Sequence, residues 1–246
     1  MTDSDDKYRR LQESLSNIQG QFHVLDTHVS VEKQMAYFRY SENLRKSSTQ
    51  QPPIEETMLI LNSPDASEEE KKYAMTVLAI SGDVKAYRAL EAYTQHPDEN
   101  LKDWAGMSFI QAKMTLESEL SEKKQIFIST GLGGKGDKFR FFTLFKSKNL
   151  VPFSPYQIRL IEKEIPFSIN EAQGIVEELK VFDNYFTLIF LISIKANIKN
   201  IIEGALTECN QYGDFIDRSF IITNVKIFDE KDIQYELKRY LKKSGN

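Results

Sequence analysis

Thr130–Phe145, TGLGGKGDKFRFFTLF, decides between two folds, because its first half reads as a glycine loop and its second half as the element that follows. Four of the chain's 11 glycines, Gly131, Gly133, Gly134 and Gly136, stand here within six positions and satisfy G-x-G-x-x-G after the strand-like run Gln125–Thr130. In a dinucleotide fold the last glycine of that pattern opens a helix whose N-terminus holds pyrophosphate. Phe139–Phe145 is instead aromatic and β-branched, which predicts a strand and a long hairpin. A P-loop fails too, since Asp137 stands where its lysine belongs and Lys138 where its hydroxyl belongs. A kinase loop lacks any H-R-D or D-F-G downstream.

The hairpin tip keeps one chemistry. Backbone N–H groups at Gly133, Gly134 and Gly136, with Lys135, Lys138 and Arg140, form a candidate contact for a phosphate or an RNA backbone. Phe139, Phe141 and Phe142 would then stack on bases if exposed. Lys123 to Lys148 carries seven cations against Asp137 alone, a local charge of +6. Such a stretch attracts anions, or keeps a hairpin soluble and blunts edge pairing.

Downstream, Val151-Pro-Phe-Ser-Pro-Tyr-Gln157 is echoed by Ile165-Pro-Phe-Ser-Ile-Asn-Glu171. Ser154 with Gln157 and Ser168 with Glu171 read as capping boxes, predicting helices from about Pro155 to Glu164 and from about Ile169 to Val181. Tyr185–Lys195 is apolar on both faces, as a central strand is. A helix over Ile198–Tyr212, a Gly213-Asp214 turn, a strand over Ser219–Phe228 and a helix over Lys231–Lys242 complete the order. Strands and helices in that sequence predict an α+β sandwich with a mainly antiparallel sheet.

Upstream, the expected texture is helical. Leu11, Leu15, Ile18, Phe22, Leu25 and Val29 recur at steps of three and four, predicting one helix whose apolar stripe could also mediate self-association. Lys46-Ser-Ser-Thr-Gln-Gln-Pro-Pro53 breaks it. Helices are then expected over 54–61, 67–81, 84–94 and 99–119. Ser63-Pro64-Asp65 and His96-Pro97-Asp98 are 33 positions apart at their Pro-Asp pairs, and Tyr73-Ala74 and Trp104-Ala105 are 31 apart. With Gly82-Asp83, Ala86, Leu90 and Leu101-Lys102, residues 63–118 resemble a HEAT-like helical repeat. That resemblance implies N-terminal helical hairpins offering a surface to a protein partner, with no catalytic residues to carry over.

The whole chain has 246 residues, 41% hydrophobic and 28% charged, which is enough to bury a sizeable core in two domains. The expected division is 1–122, helical and at net charge −8, and 123–246, α+β and at +4. No run approaches the roughly 20 apolar residues of a membrane span. An acidic N-terminus without an apolar core predicts a cytoplasmic protein. One cysteine, Cys209, excludes a disulfide framework, and His23, His28 and His96 stand without arranged partners, so no metal, cofactor or catalytic residue is expected. The function expected on these grounds is a non-enzymatic adaptor, with RNA or phosphate-ligand binding at the hairpin as the alternative.

Overall fold

A computed structural model describes residues 21–26, 28–47, 51–121, 125–128, 130–193 and 195–244. They gather into two compact units, one running to Gly136 and one starting at Asp137. The expected boundary lay between residues 122 and 123. The first unit reaches further because strand β2 (Gln125–Phe127) pairs in parallel with β1 (Gln21–His23).

The first unit holds helices α1 (Val31–Lys46), α2 (Ile54–Asn62), α3 (Glu68–Ile80), α4 (Val84–Gln95) and α5 (Lys102–Leu120). Their starts are set locally. Ser67 and Glu70 form a reciprocal capping box, and Asp83 accepts from Lys85 N and Ala86 N at 2.6 and 3.2 Å. Gly82, at φ +70°, makes the left-handed turn between α3 and α4 that a side chain would strain. Buried Ala74, Ala86 and Ala105 let helices approach, and Leu78, Leu90 and Leu101 fill the space between them. Trp104 fits beside Ala105 because its ring is only partly buried and its Nε1 donates to Lys72 O and Thr76 Oγ1.

The expected N-terminal helix is corrected from Phe22 onward; its earlier residues lie outside the described ones. Phe22 is in a strand, and Leu25 and Val29 lie in irregular chain, buried against Tyr37, Met107 and Ile110. Spacing of three and four also serves a chain that dips repeatedly into one core. Between α1 and α5 that core is polar: Tyr37 donates to Gln111 Oε1 at 2.5 Å, and Ser41 exchanges hydrogen bonds with the same amide. His23 is buried, its Nε2 2.6 Å from Gln125 Oε1 and 3.2 Å from Glu117 Oε2.

Strand β3 is Gly134–Lys135, and β4 (Lys138–Lys146) opens the second unit. Then come α6 (Pro155–Glu171), β5 (Ile175–Val181), β6 (Tyr185–Ser193), α7 (Ile198–Asn210), β7 (Ile221–Thr223) and α8 (Glu230–Ser244). Within this unit the strands stand in the order β7-β4-β6-β5, and every pair is antiparallel. The β-α-β-β-α-β succession in that order is the split βαβ arrangement of ferredoxin-like domains. The α+β class is therefore as expected.

Two local expectations are corrected. β4 does not pair with β2 in a hairpin; it lies against β6 over nine residues, from Lys138 opposite Ser193 to Lys146 opposite Tyr185. Both strands are apolar on two faces, and each hides the other's backbone. The helix expected over 169–181 is strand β5 instead. Helix α6 runs through Pro166 to Glu171 because Ile161, Ile165 and Ile169 keep one buried face, and Ser168 donates inward to Glu164 O rather than capping. It stops where Gln173 takes φ +59° and Gly174 passes so close to Leu191 O that a Cβ would sit 3.0 Å away.

Side chains of β4 alternate between faces. Phe139, Phe141, Thr143 and Phe145 are buried on one; Phe145 stacks on Phe186 at 4.5 Å and Phe141 on Phe190 at 5.8 Å. Lys138, Arg140, Phe142, Leu144 and Lys146 occupy the other, where Phe228 meets Phe142 at 5.2 Å and Tyr240 of α8 meets Lys146.

Candidate nucleic-acid interface

Helix α8, EKDIQYELKRYLKKS, buries Ile233 and Leu237, four residues apart. The opposite side carries Lys231, Gln234, Tyr235, Lys238 and Lys242, with spacings of three, four and seven that keep them on one face. All five are exposed, Tyr235 at 66%. Lys231, Gln234, Tyr235 and Lys238, together with Glu230, border a shallow surface groove of about 430 Å³. Other acids of α8 are occupied: Asp232 pairs with Lys226 at 2.7 Å and Glu236 with Arg239 at 3.5 Å. Lys231, Lys238 and Lys242 make no ion pair among the described residues. Cations near a helix C-terminus also complement its dipole.

Tyr240 ties α8 to the sheet. Its hydroxyl donates to Asp217 Oδ2 at 2.8 Å, and Lys146 Nζ sits 4.4 Å from its ring centroid. Lys146 also donates to Ser219 Oγ at 2.6 Å and Ser219 O at 2.9 Å, and lies 3.4 Å from Asp217 Oδ1. Ser219 Oγ donates to Asp217 Oδ1. Burial lowers the Lys146 pKa and outweighs the attraction of Asp217. Burial pushes Asp217 up, but hydrogen bonds from Ser219 and Tyr240 together hold its carboxyl below the usual range. Beside this group lies a cleft of about 530 Å³ bordered by Lys148, Asn210, Asp214, Asp217 and Arg218. Lys148 is paired with Asp214.

The hairpin residues singled out from the sequence do not assemble this way. Gly134 N donates to Leu25 O at 2.6 Å and Gly133 N to Thr130 O, so those amides are not free for an anion. Gly136, at φ +62°, turns the chain, and Lys135 is exposed. Lys138 Nζ donates to Gln173 O at 2.7 Å, and Arg140 grips both carboxylate oxygens of Glu177 at 2.5 and 2.8 Å. Phe139, Phe141 and Phe142 are buried and offer no face to a base. The hairpin as the binding centre is corrected accordingly: local positive charge was cancelled by partners from distant sequence. The face of α8 was missed, although its lysine spacing of seven and four was visible.

No protein-family model and no curated protein matches the chain. Among solved structures it is similar to a putative transposase from Deinococcus radiodurans R1, at 11% identity and TM-score 0.34, over 43% of this chain and 90% of that one. It is similar too to a REP-associated tyrosine transposase bound to a REP hairpin, at 12% identity and TM-score 0.32, over 47% of this chain and 67% of that one. These neighbours are named as transposases, and neither as an adaptor or a repeat protein, so the expected non-enzymatic adaptor binding through a helical-repeat surface is corrected. The likeness is too distant to transfer an activity. Among the described residues no helix is long and apolar enough to cross a membrane, and no group of three or more His, Cys, Asp and Glu side chains is placed to hold a metal ion.

Proposed function

We propose that the chain binds nucleic acid through the exposed face of α8, with Lys231, Lys238 and Lys242 on backbone phosphates and Tyr235 against a base or sugar. The reading rests on one row of side chains: three lysines without ion pairs and an exposed tyrosine, with only the neutral Gln234 between them. From Lys231 to Lys242 the helix rises about 16 Å, the length of about five nucleotide steps at 3.4 Å per strand. Aromatic stacking needs an unpaired base, so Tyr235 favours single strands or loops over duplex.

Fluorescence anisotropy with labelled oligonucleotides tests this. Three phosphate contacts predict that log K falls against log salt with a slope of about −2 for single strands and nearer −3 for duplex. Replacing the three lysines by alanine abolishes that slope, and Tyr235→Ala weakens single-strand binding more than duplex binding. Absence of saturable binding at low salt, undiminished binding by the triple variant, or binding to anionic vesicles alone would each sink the proposal.

A further inference from the structure

Lys146, Asp217, Ser219 and Tyr240 come from the end of β4, the segment before β7, and α8, and do more than fasten a helix. Ser219 is exposed, yet its hydroxyl is held between a carboxylate that accepts its proton and an ammonium 2.6 Å away whose side chain is only 12% exposed. A nucleophile needs a base within hydrogen-bond reach and a third group that orients the base. Here Tyr240 fixes the far oxygen of Asp217, and Asn149 N donates to the Tyr240 oxygen at 3.4 Å. Asn149 and Leu150, neighbours at φ 57° and 54°, both hold the left-handed conformation that non-glycine residues avoid, and strain of that kind gathers at functional sites. Arg218 precedes Ser219, borders the 530 Å³ cleft, is exposed, and makes no ion pair among the described residues. Its charge also acts on Asp214 across the same lining, and a guanidinium on the residue next to a poised hydroxyl suits a phosphate group.

We propose that Ser219 is the nucleophile of a phosphodiester-cleaving site, with Asp217 as the base, Lys146 as the acid and Arg218 on the non-bridging phosphate oxygens. The phosphodiester as substrate class rests on the nucleic-acid reading above. In the first half, a bond forms between Ser219 Oγ and phosphorus while the bond from phosphorus to the leaving oxygen breaks. The serine proton passes to Asp217, and Lys146 gives a proton to the leaving alcohol. In the second half, water attacks the phosphoserine and loses its proton to Lys146. The bond from phosphorus to Oγ breaks, and Asp217 returns its proton to the serine. The sum is a diester plus water giving a monoester plus an alcohol. Burial that lowers the Lys146 pKa eases its part as a proton donor, whereas the hydrogen bonds that hold the Asp217 pKa down make it a weak base that takes the serine proton only as the bond to phosphorus forms.

The test is release of p-nitrophenolate from bis(p-nitrophenyl) phosphate by the full chain, with acid-quenched samples searched by mass for a phosphorylated Ser219 peptide. Wild type is expected to turn over and to show the adduct. Ser219→Ala should lose both, by at least about 100-fold in rate, while binding oligonucleotides as wild type does. Lys146→Arg, which keeps the charge over the Tyr240 ring, should slow turnover with an unchanged melting temperature. Turnover that survives Ser219→Ala, or no release by wild type above buffer, overturns the proposal. Turnover of the small diester without oligonucleotide binding would instead overturn the α8 reading and leave Ser219 in place.

Discussion

The two units treat polar groups in opposite ways. In the first, Tyr37, Ser41 and Gln111 carry polarity into the centre of the packing between α1 and α5. In the second, the centre is stacked phenylalanine, and charge is pushed to the rim, where Arg140, Lys146 and Lys148 each meet a carboxylate. A count of lysines is therefore a poor guide to a basic surface. Charge reaches solvent uncompensated where a helix shows its outer face to water, as α8 does.

The largest expected effect that sharpens this contrast is in the phenylalanine core. Phe186→Ala removes a ring stacked on Phe145 and should cost about 3–5 kcal/mol, measured by urea unfolding. Gln111→Ala leaves the buried hydroxyls of Tyr37 and Ser41 without their partner and should cost about 2–4 kcal/mol. Should the glutamine change be harmless, the polar core of the first unit is decorative and the comparison breaks. Caps come next: Ser154→Ala should lose about 1 kcal/mol, whereas Ser168→Ala, inside the continuous α6, should stay within about 0.5 kcal/mol. Equal losses at both serines would restore two helices in place of one.

The smallest effect concerns Cys209, buried in α7, whose thiol burial pushes up to about 12. With its folded pKa raised, the native state holds the proton more tightly than the unfolded chain. That contribution is complete below the unfolded thiol value of about 8.5 and is lost as pH rises toward 12. Native protein at pH 8 should resist iodoacetamide, and urea-unfolded protein should alkylate at once. Fast labelling of the native form would mean that α7 opens readily.

Much of the local structure was legible. Ser67, Asp83 and Ser154 announce helix starts because a cap is a contact between residues two or three apart, and β4 and β6 announce central strands by being apolar on both faces. Strand β5 was not legible: Glu177-Glu178-Leu179-Lys180 are helix formers, and the register shift between Val176 and Glu178 breaks the alternation that marks a strand. At the site, the sequence showed the lysines of α8 but not which lysines elsewhere were already partnered.

By itself, then, the sequence determined the α+β class, most helix starts and the glycine turn before Phe139, since each depends on neighbours along the chain. Only the tertiary structure decided that β2 joins β1, that Glu177 silences Arg140, and that Lys146, Asp217, Ser219 and Tyr240 meet beside one cleft. Apart from Asp217 and Ser219, two positions apart, those partners lie between 23 and 104 positions apart, where pairing depends on packing of the whole unit and leaves no periodic mark on the sequence.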